Sequence, residues 1–376
     1  MLPTSEIEKI RAMFPVTGKV NYLNHAAVSP IPTAAVDSIN AYLEDVRDYG
    51  MMHETRWLGE IERIRGRVQA FINAGEGEIA FIKSPLVAMQ IVAQGLNMRE
   101  GEKIIVADAE FPANVYPWIS MVPKGVEVNF VGAQGGMINP EDIERAIDSR
   151  TRLVATSMVE FASGCRNDVE GIAAVCKRKC VNYFVDVTQA AGEMNVDVKA
   201  IGADFALIGG YKWLFGPQGV FMFFCRSDIE KRIRYDGVSW CKITHPEEIA
   251  YRAGHENDAR RFESDQPNFM GIMGLGGSLD LREKVGSPAI NAHIKLLADR
   301  LLHALINRGY DMITPAFLDD RSGIVVFTHP QRDMREIHQN LKRQGIITSL
   351  RNRTIRVSPH FYNTNEELDR LVEALP

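Results

Sequence analysis

Six short apolar runs recur between residues 103 and 225, and their spacing limits this chain to few folds. Most are rich in β-branched or aromatic residues and are long enough for one strand, as in "KIIVAD" (103–108) and "NYFVDV" (182–187). Runs of this kind, without polar alternation, are typical of strands buried on both faces. The other four are "VEVNFV" (126–131), "RLVATSM" (152–158), "DFALIG" (204–209) and "VFMFFC" (220–225).

Helix patterns lie between several of these runs. "NPEDIERAID" offers Asn139 as the N-cap and Pro140 as the first helical residue, with acidic residues in the first turn. "DVEGIAAVCKRKC" begins at Asp168 and collects basic residues near its end, as the helix dipole favours. An earlier amphipathic helix is predicted over 57–72. This alternation predicts an α/β domain with a largely parallel sheet between helices.

The pattern changes after about residue 270. A glycine cluster is followed by a long helix pattern (about 290–308), and short strand patterns then lead into a last helix. Thr364 and Glu367 are spaced as a capping box for that helix. We therefore predict a large α/β domain over residues 20–260 and a smaller α+β domain formed by residues 1–19 and 261–376.

Charge and composition exclude several classes of function. The net charge is −5 with no basic block, which argues against nucleic acid as a partner. The N-terminus lacks the apolar segment of a signal peptide, and the most apolar stretch (205–225) is interrupted by polar residues. The five cysteines show no metal-ligand spacing, and their odd number suits a reducing compartment. We expect a cytoplasmic protein that binds no membrane and no metal.

One lysine interrupts that apolar stretch. "GGYKWLFGPQG" (209–219) places Lys212 just after a strand-like run, although lysines at strand ends often only extend to water. "FVDVTQAAG" (184–192) places Asp186 at the end of the preceding run. In open α/β sheets ligands bind at the carboxyl ends of strands, so neighbouring strands could deliver both side chains to one crevice. A buried acid facing a buried lysine is costly, and a ligand between them removes that cost.

Pyridoxal phosphate (PLP) fits between such an amine and such an acid. Its aldehyde forms an imine with an amine, and a partly desolvated lysine is the usual donor. Its pyridine nitrogen must stay protonated to draw electrons, and an ionised aspartate holds that proton. The carboxamide of Gln189, three residues after Asp186, can donate to the 3-oxygen of the ring without adding charge. These residues therefore predict a PLP site.

Seven blocks carry a resemblance to a known family over nearly the whole chain. The chain resembles the class V aminotransferase family of fold-type I PLP enzymes, which includes cysteine desulfurases and isopenicillin N epimerase-like proteins. The resemblance implies the PLP-dependent transferase fold, a small domain that completes the substrate cleft, an amino-acid substrate, and a homodimer with shared active sites. The blocks are "YLNHAAVSPIP" (22–32), "EFPANVYPW" (110–118), "VEFASGCRND" (159–168), "VDVTQAAGEMNVDVKAIGADF" (185–205), "GGYKWLFGPQG", "RRFESDQPN" (260–268) and "IRVSPHFYNTNEEL" (355–368).

The resemblance also assigns roles at the reacting centre. It makes Lys212 the Schiff-base lysine, Asp186 the partner of the pyridinium, and Gln189 the contact of the 3-oxygen. Arg356, in "TIRVSP" (354–359), becomes the residue that binds the α-carboxylate of the substrate. A guanidinium suits this role because its planar fork holds both carboxylate oxygens. Spacing alone is equally consistent with a surface arginine at this position.

Further residues are expected around the cofactor. Phe111, Pro112 or Asn114 is expected to approach the ring, where many relatives place a stacking histidine. Asn24 and His25 are expected at the mouth of the cleft, with a plain turn as an equal alternative. His360 is interpreted as a structural histidine.

The chain departs from its relatives on the phosphate side. Ser84, Tyr211 and, from the partner subunit, Gln266 can donate hydrogen bonds to the phosphate, whereas Pro85 supplies no N–H. We therefore predict a phosphate site with fewer hydroxyls and weaker cofactor retention. The replacements are Ser84-Pro85-Leu86 for Gly-Thr-Thr, Gly209 and Gly210 where relatives have a serine, Tyr211 for the histidine before the lysine, and Gln266 for a threonine.

A second departure concerns the reaction. Cysteine desulfurases need a mobile cysteine before the carboxylate-binding strand, and this chain has no cysteine from residue 242 to residue 376. Phe161 stands where desulfurases tend to have asparagine, and Cys165 is the conceivable substitute nucleophile. Desulfuration through a protein persulfide is therefore disfavoured.

Several reactions remain open at this point. Lys212, freed when the substrate displaces it, can take the Cα proton as a general base. We expect transamination or epimerisation at Cα, with a cysteine desulfurase-like or C–S β-lyase reaction as the alternative. A PLP-binding protein with little turnover is a further alternative. A nicotinamide-binding Rossmann enzyme is disfavoured because "GLGGSLD" (274–280) follows no convincing strand.

Overall fold

A seven-stranded sheet with helices on both faces forms the larger part of the fold. The computed structural model describes residues 4–234, 258–264, 266–317 and 321–376. Its strands are β1 (Asn21–Tyr22), β2 (Ile79–Ile82), β3 (Lys103–Ala107), β4 (Glu127–Val131), β5 (Thr151–Ser157), β6 (Asn182–Asp186), β7 (Phe205–Gly209), β8 (Phe221–Cys225), β9 (Asp311–Met312), β10 (Val325–Thr328), β11 (Ile346–Ile347), β12 (Ser349–Arg351) and β13 (Thr354–Val357).

The helices alternate with the strands of this sheet and then dominate the last third of the chain. Between the longer helices lie short 3-10 turns, one of which (Pro112–Asn114) lies near the site described below. The α-helices are α1 (Thr4–Arg11), α2 (Thr33–Tyr49), α3 (Glu54–Phe71), α4 (Pro85–Gly95), α5 (Tyr116–Ile119), α6 (Pro140–Ala146), α7 (Val169–Arg178), α8 (Val198–Ile201), α9 (Ser227–Glu230), α10 (Phe269–Val285), α11 (Ser287–Asn307), α12 (Met334–Arg343) and α13 (Asn365–Glu373).

The large sheet has the order β2-β8-β7-β6-β5-β3-β4. The strands from β7 to β4 in this order pair in parallel, whereas β8 runs antiparallel to both β7 and β2. Each of the six predicted runs contains one of these strands. The predicted fold class, an α/β protein with a mainly parallel sheet between helices, is therefore confirmed.

One strand differs from the expectation of burial on both faces. In β4 only Val131 is fully buried, and Phe130 is 47% exposed. β4 is one of the two edge strands of the sheet, and among the described residues no further strand pairs with its outer side. The apolar run "VEVNFV" does not reveal this position, because edge and central strands share the same β-branched composition.

Each face of the sheet carries its own hydrophobic core. Ile105 packs into the core that includes Ile64 of α3 and Ile172 of α7. The neighbouring residues Ile104 and Val106 point the other way, into the core formed with α4, α5 and α9. Alternate residues of a strand face opposite sides, so a strand covered on both sides must be apolar throughout. This requirement explains the unbroken runs in the sequence.

A second sheet lies in the C-terminal part of the chain. It has the order β12-β13-β10-β9, with antiparallel pairing throughout, and packs against α11, α12 and α13. The predicted capping box of α13, between Thr364 and Glu367, is present. The N-terminal segment joins this part through parallel pairing of β1 with β11. The exact domain bounds, 20–260 against 1–19 and 261–376, stay a prediction.

The glycine cluster lies in α10, which packs on α2 and α3. A Cβ atom at Gly277 would lie 2.4 Å from the carbonyl oxygen of Ala34, so the two helices approach too closely for any side chain there. The glycines therefore serve helix packing and not a nucleotide-binding turn. Among the described residues, no helix is both long enough and apolar enough to cross a bilayer.

A buried ion pair fixes the segment around Glu263 to the first strand of the large sheet. Arg65 of α3 and Glu263 pair with side chains only 3% and 7% exposed. Glu263 also accepts a hydrogen bond from the backbone N–H of Phe81 (2.7 Å), and Arg65 donates to the carbonyl of Ile79 (3.0 Å).

Replacing Glu263 by alanine should therefore lower the free energy of unfolding by about 3 kcal/mol, because Arg65 would keep a buried charge with less compensation. The matched control is Glu60→Ala on α3, the helix that carries Arg65. The partner of Glu60, Arg63, is 52% exposed. That change should cost less than about 1 kcal/mol. Urea unfolding of the cofactor-free protein measures both, and equal losses would contradict the prediction.

Candidate active site

Three adjacent parallel strands deliver the central residues of the site. β5 ends at Ser157, β6 ends at Asp186, and the two residues are direct neighbours in the sheet. β7 ends at Gly209, and Lys212 follows three residues later. The carboxyl ends of parallel strands meet at one edge of a sheet, where ligands bind in open α/β folds. The structure therefore brings the predicted acid and the predicted amine to the same edge.

The carboxylate of Asp186 is held from both sides by hydrogen bonds. Asn114 donates from its side-chain nitrogen to Oδ2 (2.7 Å), and the backbone N–H of Thr188 donates to Oδ1 (2.7 Å). No cation pairs with Asp186 among the described ion pairs. A carboxylate held in this way keeps further lone pairs for a positively charged donor.

The amine of Lys212 lies in an apolar surrounding. Its Nζ is 5.8 Å from the ring centre of Phe111 and 5.7 Å from that of Tyr211. Burial lowers the pKa of this amine to about 8; Asp186 opposes this shift, while Arg356 and Arg351 add to it. Within the described chain Lys212 has no ion pair. A lysine with a lowered pKa supplies a neutral amine near physiological pH, as imine formation requires.

Gln189 is held at both ends of its amide. Its Nε2 donates to the carbonyl of Ala26 (3.0 Å), and its Oε1 accepts from the indole N–H of Trp213 (3.0 Å). One N–H of the amide remains for a ligand, as the predicted contact to a ring oxygen requires. The hydroxyl of Thr188 is buried without a hydrogen-bond partner in the described structure.

Arg356 lies at the centre of the second sheet and is 1% exposed. It stands on β13, opposite Ser349 on one side and Val326 on the other. Its Nη1 donates to the carbonyl of Phe161 (2.9 Å), whereas Nε and Nη2 are buried without partners among the described atoms. Burial lowers the pKa of this guanidinium to about 10, with Arg351 as the second cause. Such unpartnered buried donors fit an anionic ligand.

His25 and Asn24 were expected at the mouth of the cleft or, equally, in a plain turn, and His25 lies in a turn. Its ring is fully buried, with Nδ1 2.7 Å from the carbonyl oxygen of Ser358 and Nε2 2.7 Å from the hydroxyl of Tyr362. Burial lowers the pKa of His25 to about 3. Both ring nitrogens are therefore used within the protein. Asn24 pairs with Ser358, and its Oδ1 is buried without a partner in the described structure, so its role stays a prediction.

Two aromatic rings cover the approach to the amine. Phe111 is 42% exposed and meets Phe161 edge to face, with ring centres 5.1 Å apart.

His360 is fully buried, with Nε2 3.1 Å from the carbonyl oxygen of Trp213, as suits a structural histidine. Cys165 is fully buried as well, and its thiol lies 3.5 Å from the carbonyl oxygen of Gly135. The thiol is thus poorly placed for a mobile nucleophile.

The phosphate-side residues have distinct surroundings. Ser84 is the N-cap residue of α4, and its side chain makes no capping hydrogen bond, so its hydroxyl remains for a ligand. Tyr211 is half-buried, and burial raises the pKa of its phenol. Gln266 is exposed. Their contacts to a phosphate stay predictions, as does weaker cofactor retention.

Steric contact explains why glycines replace a serine before the lysine. A Cβ atom at Gly209 would lie 2.4 Å from the methyl carbon of Thr188, and one at Gly210 would lie 2.9 Å from the carbonyl oxygen of Val220. Both distances are far below van der Waals contact, so neither position has room for a side chain.

The sequence analysis missed two buried acids beside Asp186. Glu110 accepts hydrogen bonds from Asn114 (3.0 Å) and from the hydroxyl of Ser157 (2.7 Å). Glu160 is fully buried and accepts from Asn167 (2.8 Å). Each lies in one of the blocks that carry the family resemblance, just after a buried strand: Glu110 follows β3, and Glu160 follows β5. That position is the signal that could have identified them.

The comparisons with known proteins agree on one family. The family model described as "Aminotransferase class-V" matches residues 21–371. A protein of Methanothermobacter thermautotrophicus described as a probable cysteine desulfurase is 30% identical and covers 98% of this chain and 97% of its own length. An uncharacterised aminotransferase of Bacillus subtilis is 26% identical over 98% of this chain and 97% of its own length.

A solved structure shares this fold over nearly the whole chain. The apo structure of a cysteine desulfurase from Thermococcus onnurineus has a TM-score of 0.90 and 25% identity, and covers 97% of this chain and 96% of the solved chain. The similarity thus includes both sheets and the edge at which Lys212 and Asp186 meet.

The lowered pKa of Lys212 predicts how its amine reacts in cofactor-free protein. Because the pKa is about 8, the reactive neutral form should be lost below that pH and gained above it. Reductive methylation across a pH series, followed by peptide mapping, should give half-maximal modification of Lys212 near pH 8. Lys212→Ala serves as the control for the assigned peptide. A modification profile without that midpoint would contradict the prediction.

Proposed function

The chain belongs to the aminotransferase class-V family, and from this premise we propose that it is a PLP-dependent lyase that breaks the C–S bond of a sulfur-containing amino acid. The family uses PLP as its cofactor. The name of the relative from Methanothermobacter thermautotrophicus supports a substrate of the cysteine type. The proposed reaction differs from that of a desulfurase in that no cysteine of this chain receives the sulfur.

The described residues fit PLP on several counts. Lys212 offers an unpaired amine of lowered pKa, and Asp186 offers a carboxylate without a cationic partner. Gln189 keeps one N–H, and the hydroxyl of Thr188 is buried without a partner. Once bound, PLP joins a lysine covalently and accepts electrons from a bond broken at the substrate Cα. We assign the covalent role to Lys212, the ring nitrogen to Asp186 and the 3-oxygen to Gln189.

The observation that carries the proposal is the pair of unpartnered donors on Arg356. Nε and Nη2 are buried and have no partner among the described atoms, while Nη1 donates to the carbonyl of Phe161. Arg356 is also close enough to Lys212 for its charge to lower the pKa of that amine. A carboxylate held by these donors would keep the Cα of an amino acid beside the amine. Positioning of this kind supplies much of an enzyme's rate.

Lys212 is the group we assign to proton transfer at Cα. Its Nζ takes the Cα proton, and the Cβ–S bond then breaks with both electrons leaving on sulfur. The sulfur departs as a thiolate, and hydrolysis of the remaining fragment with water yields pyruvate and ammonia. The rings of Phe111 and Tyr211, which lie beside Nζ, help to keep water from the amine, and this favours its neutral form.

Release of the sulfur into solution is supported by the placement of the cysteines. Cys165 is fully buried, and the chain from residue 242 to residue 376, which holds Arg356, contains no cysteine. A protein persulfide would need an exposed, mobile thiolate near the substrate. Transamination is the second candidate, supported by the name of the Bacillus subtilis relative.

We also propose a homodimer with shared active sites. The exposed side chain of Gln266 would then reach the phosphate bound by the other subunit. This assignment follows from the family resemblance of "RRFESDQPN" and stays a proposal.

Product analysis tests the reaction class. PLP-loaded protein given cysteine or cystine should release pyruvate, ammonia and reduced sulfur (sulfide or a persulfide) in equal amounts, and Lys212→Ala should release none. Alanine with protein-bound sulfur would indicate desulfuration instead, and a keto acid that retains its sulfur would indicate transamination. Either result would overturn the lyase proposal.

The role of Arg356 has its own test. Arg356→Ala should lower kcat/KM by about 10- to 150-fold, mainly through KM, since charged hydrogen bonds contribute about 1.5–3 kcal/mol. The matched control is Arg353→Ala, an exposed arginine beside the turn between β12 and β13. That variant should keep the parent kinetics. Equal losses in both variants would contradict a carboxylate-binding role.

A further inference from the structure

Three carboxyl groups lie together beyond the ends of the central strands, two of them buried and Asp186 half-buried, and the proposed reaction uses only Asp186. Glu110 and Glu160, 7% and 0% exposed, are the other two. Glu160 bonds to Asn167 and leaves Oε2 without a partner in the described structure. Glu110, by contrast, is linked to Asp186 through one intervening side chain. This link gives Glu110 a role that its burial alone does not explain.

The intervening side chain is Asn114. Its Nδ2 donates to Asp186 (2.7 Å) and to Glu110 (3.0 Å), and it lies 3.3 Å from the hydroxyl of Ser157. An amide nitrogen carries two hydrogens, so one can serve each carboxylate. The bond to Glu110 therefore fixes the rotation of the amide that holds Asp186.

Glu110 is itself fixed by the end of β5. The hydroxyl of Ser157 donates to Oε2 (2.7 Å), and the backbone N–H of Ser157 donates to Oε1. Ser157 is the sheet neighbour of Asp186. The chain of contacts thus runs from the backbone of one strand, through Glu110 and Asn114, to the carboxylate on the next strand.

The surroundings of Glu110 place the pKa of its carboxyl near neutral pH. Burial raises the pKa of Glu110 to about 7, Asp186 adds to the shift, and the bonds from Ser157 and Asn114 oppose it. Burial and then the charge of Glu110 hold the pKa of Glu160 well above its usual range. The other titratable groups in this region are Tyr183 on β6, Asp108 after β3 and Lys212 after β7, which faces Asp186.

We propose that Glu110 is a positioning residue that acts through Asn114 on Asp186. In this cluster Glu110 is also the carboxyl expected to gain and lose a proton near neutral pH, since burial raises its pKa to about 7. The proposal rests on the proposed function, because it takes Asp186 as the group that holds the ring nitrogen. When Glu110 is ionised, its charge and the fixed amide both favour a protonated ring at Asp186. When Glu110 is protonated, the added charge is absent.

Infrared spectroscopy of the cofactor-free protein tests whether Glu110 gains and loses a proton near neutral pH. Wild-type protein should lose a protonated-carboxyl band with a midpoint near pH 7, because the pKa of Glu110 is about 7. Glu110→Gln should abolish this change, and the matched control Glu160→Gln should keep it, since that variant leaves Glu110 and its hydrogen bonds to Asn114 and Ser157 in place. A change of full size in Glu110→Gln would overturn the titration assigned to Glu110.

Cofactor binding tests the positioning. Glu110→Gln and Asn114→Ala should each raise the PLP dissociation constant about three- to tenfold at pH 8, as expected for one lost hydrogen bond. Glu110→Asp should recover part of the loss, and Glu160→Gln should leave the constant unchanged. Should Glu110→Gln fail to fold, Asn114→Ala carries the test, since it should weaken PLP binding while keeping the infrared change. Unchanged constants in the folded variants would overturn the proposal.

The two proposals fail separately. If wild-type protein binds no PLP, or binds it without modification of Lys212, the proposed function is wrong. If PLP binds at Lys212 but the Glu110 and Asn114 variants behave as wild type, only the role of Glu110 is wrong.

Discussion

The site depends on charged groups that the protein buries, wholly or in part, without pairing them to one another. Within the described residues, Arg356 is 1% exposed with two donors that lack a partner, Lys212 has a lowered pKa, and Asp186 accepts hydrogen bonds from neutral donors. Desolvation of such groups costs folding free energy, so the packing around them must hold them apart. The two hydrophobic cores of the large sheet and the third core behind the second sheet provide that support. A bound ligand then receives interactions that the protein alone leaves unmade.

The topology decides which charges meet. Parallel strands end at a common edge of the sheet. The pairing of β5, β6 and β7 therefore brings together Ser157, Asp186 and the segment before Lys212, whatever the conformation of the connecting loops. Arg356 comes from a separate antiparallel sheet, and its anchor is the carbonyl of Phe161, which follows β5. Arg356, the proposed carboxylate-binding group, is therefore held at the same strand end as the acid cluster. Arg356 and the acid cluster are therefore both positioned by the end of β5.

Much of this arrangement could be predicted from the sequence, because strands buried on both faces leave unbroken apolar runs and strand ends leave isolated polar residues. Lys212 and Asp186 stood out for that reason. The surface position of β4 could not be predicted, since composition does not tell an edge strand from a central one. The burial of His25 could not be predicted, because its partners, Ser358 and Tyr362, lie more than 300 residues away in the chain. Glu110 and Glu160 likewise gain meaning only from neighbours on other strands.

The contact between Thr188 and Gly209 also constrains how this chain can change over time. A methyl group on residue 188 occupies the space that a side chain at residue 209 would need, with only 2.4 Å between them. A lineage that acquires serine at residue 209 would also need a smaller or reoriented side chain at residue 188. The effect of a substitution at one position should therefore depend on the residue at the other.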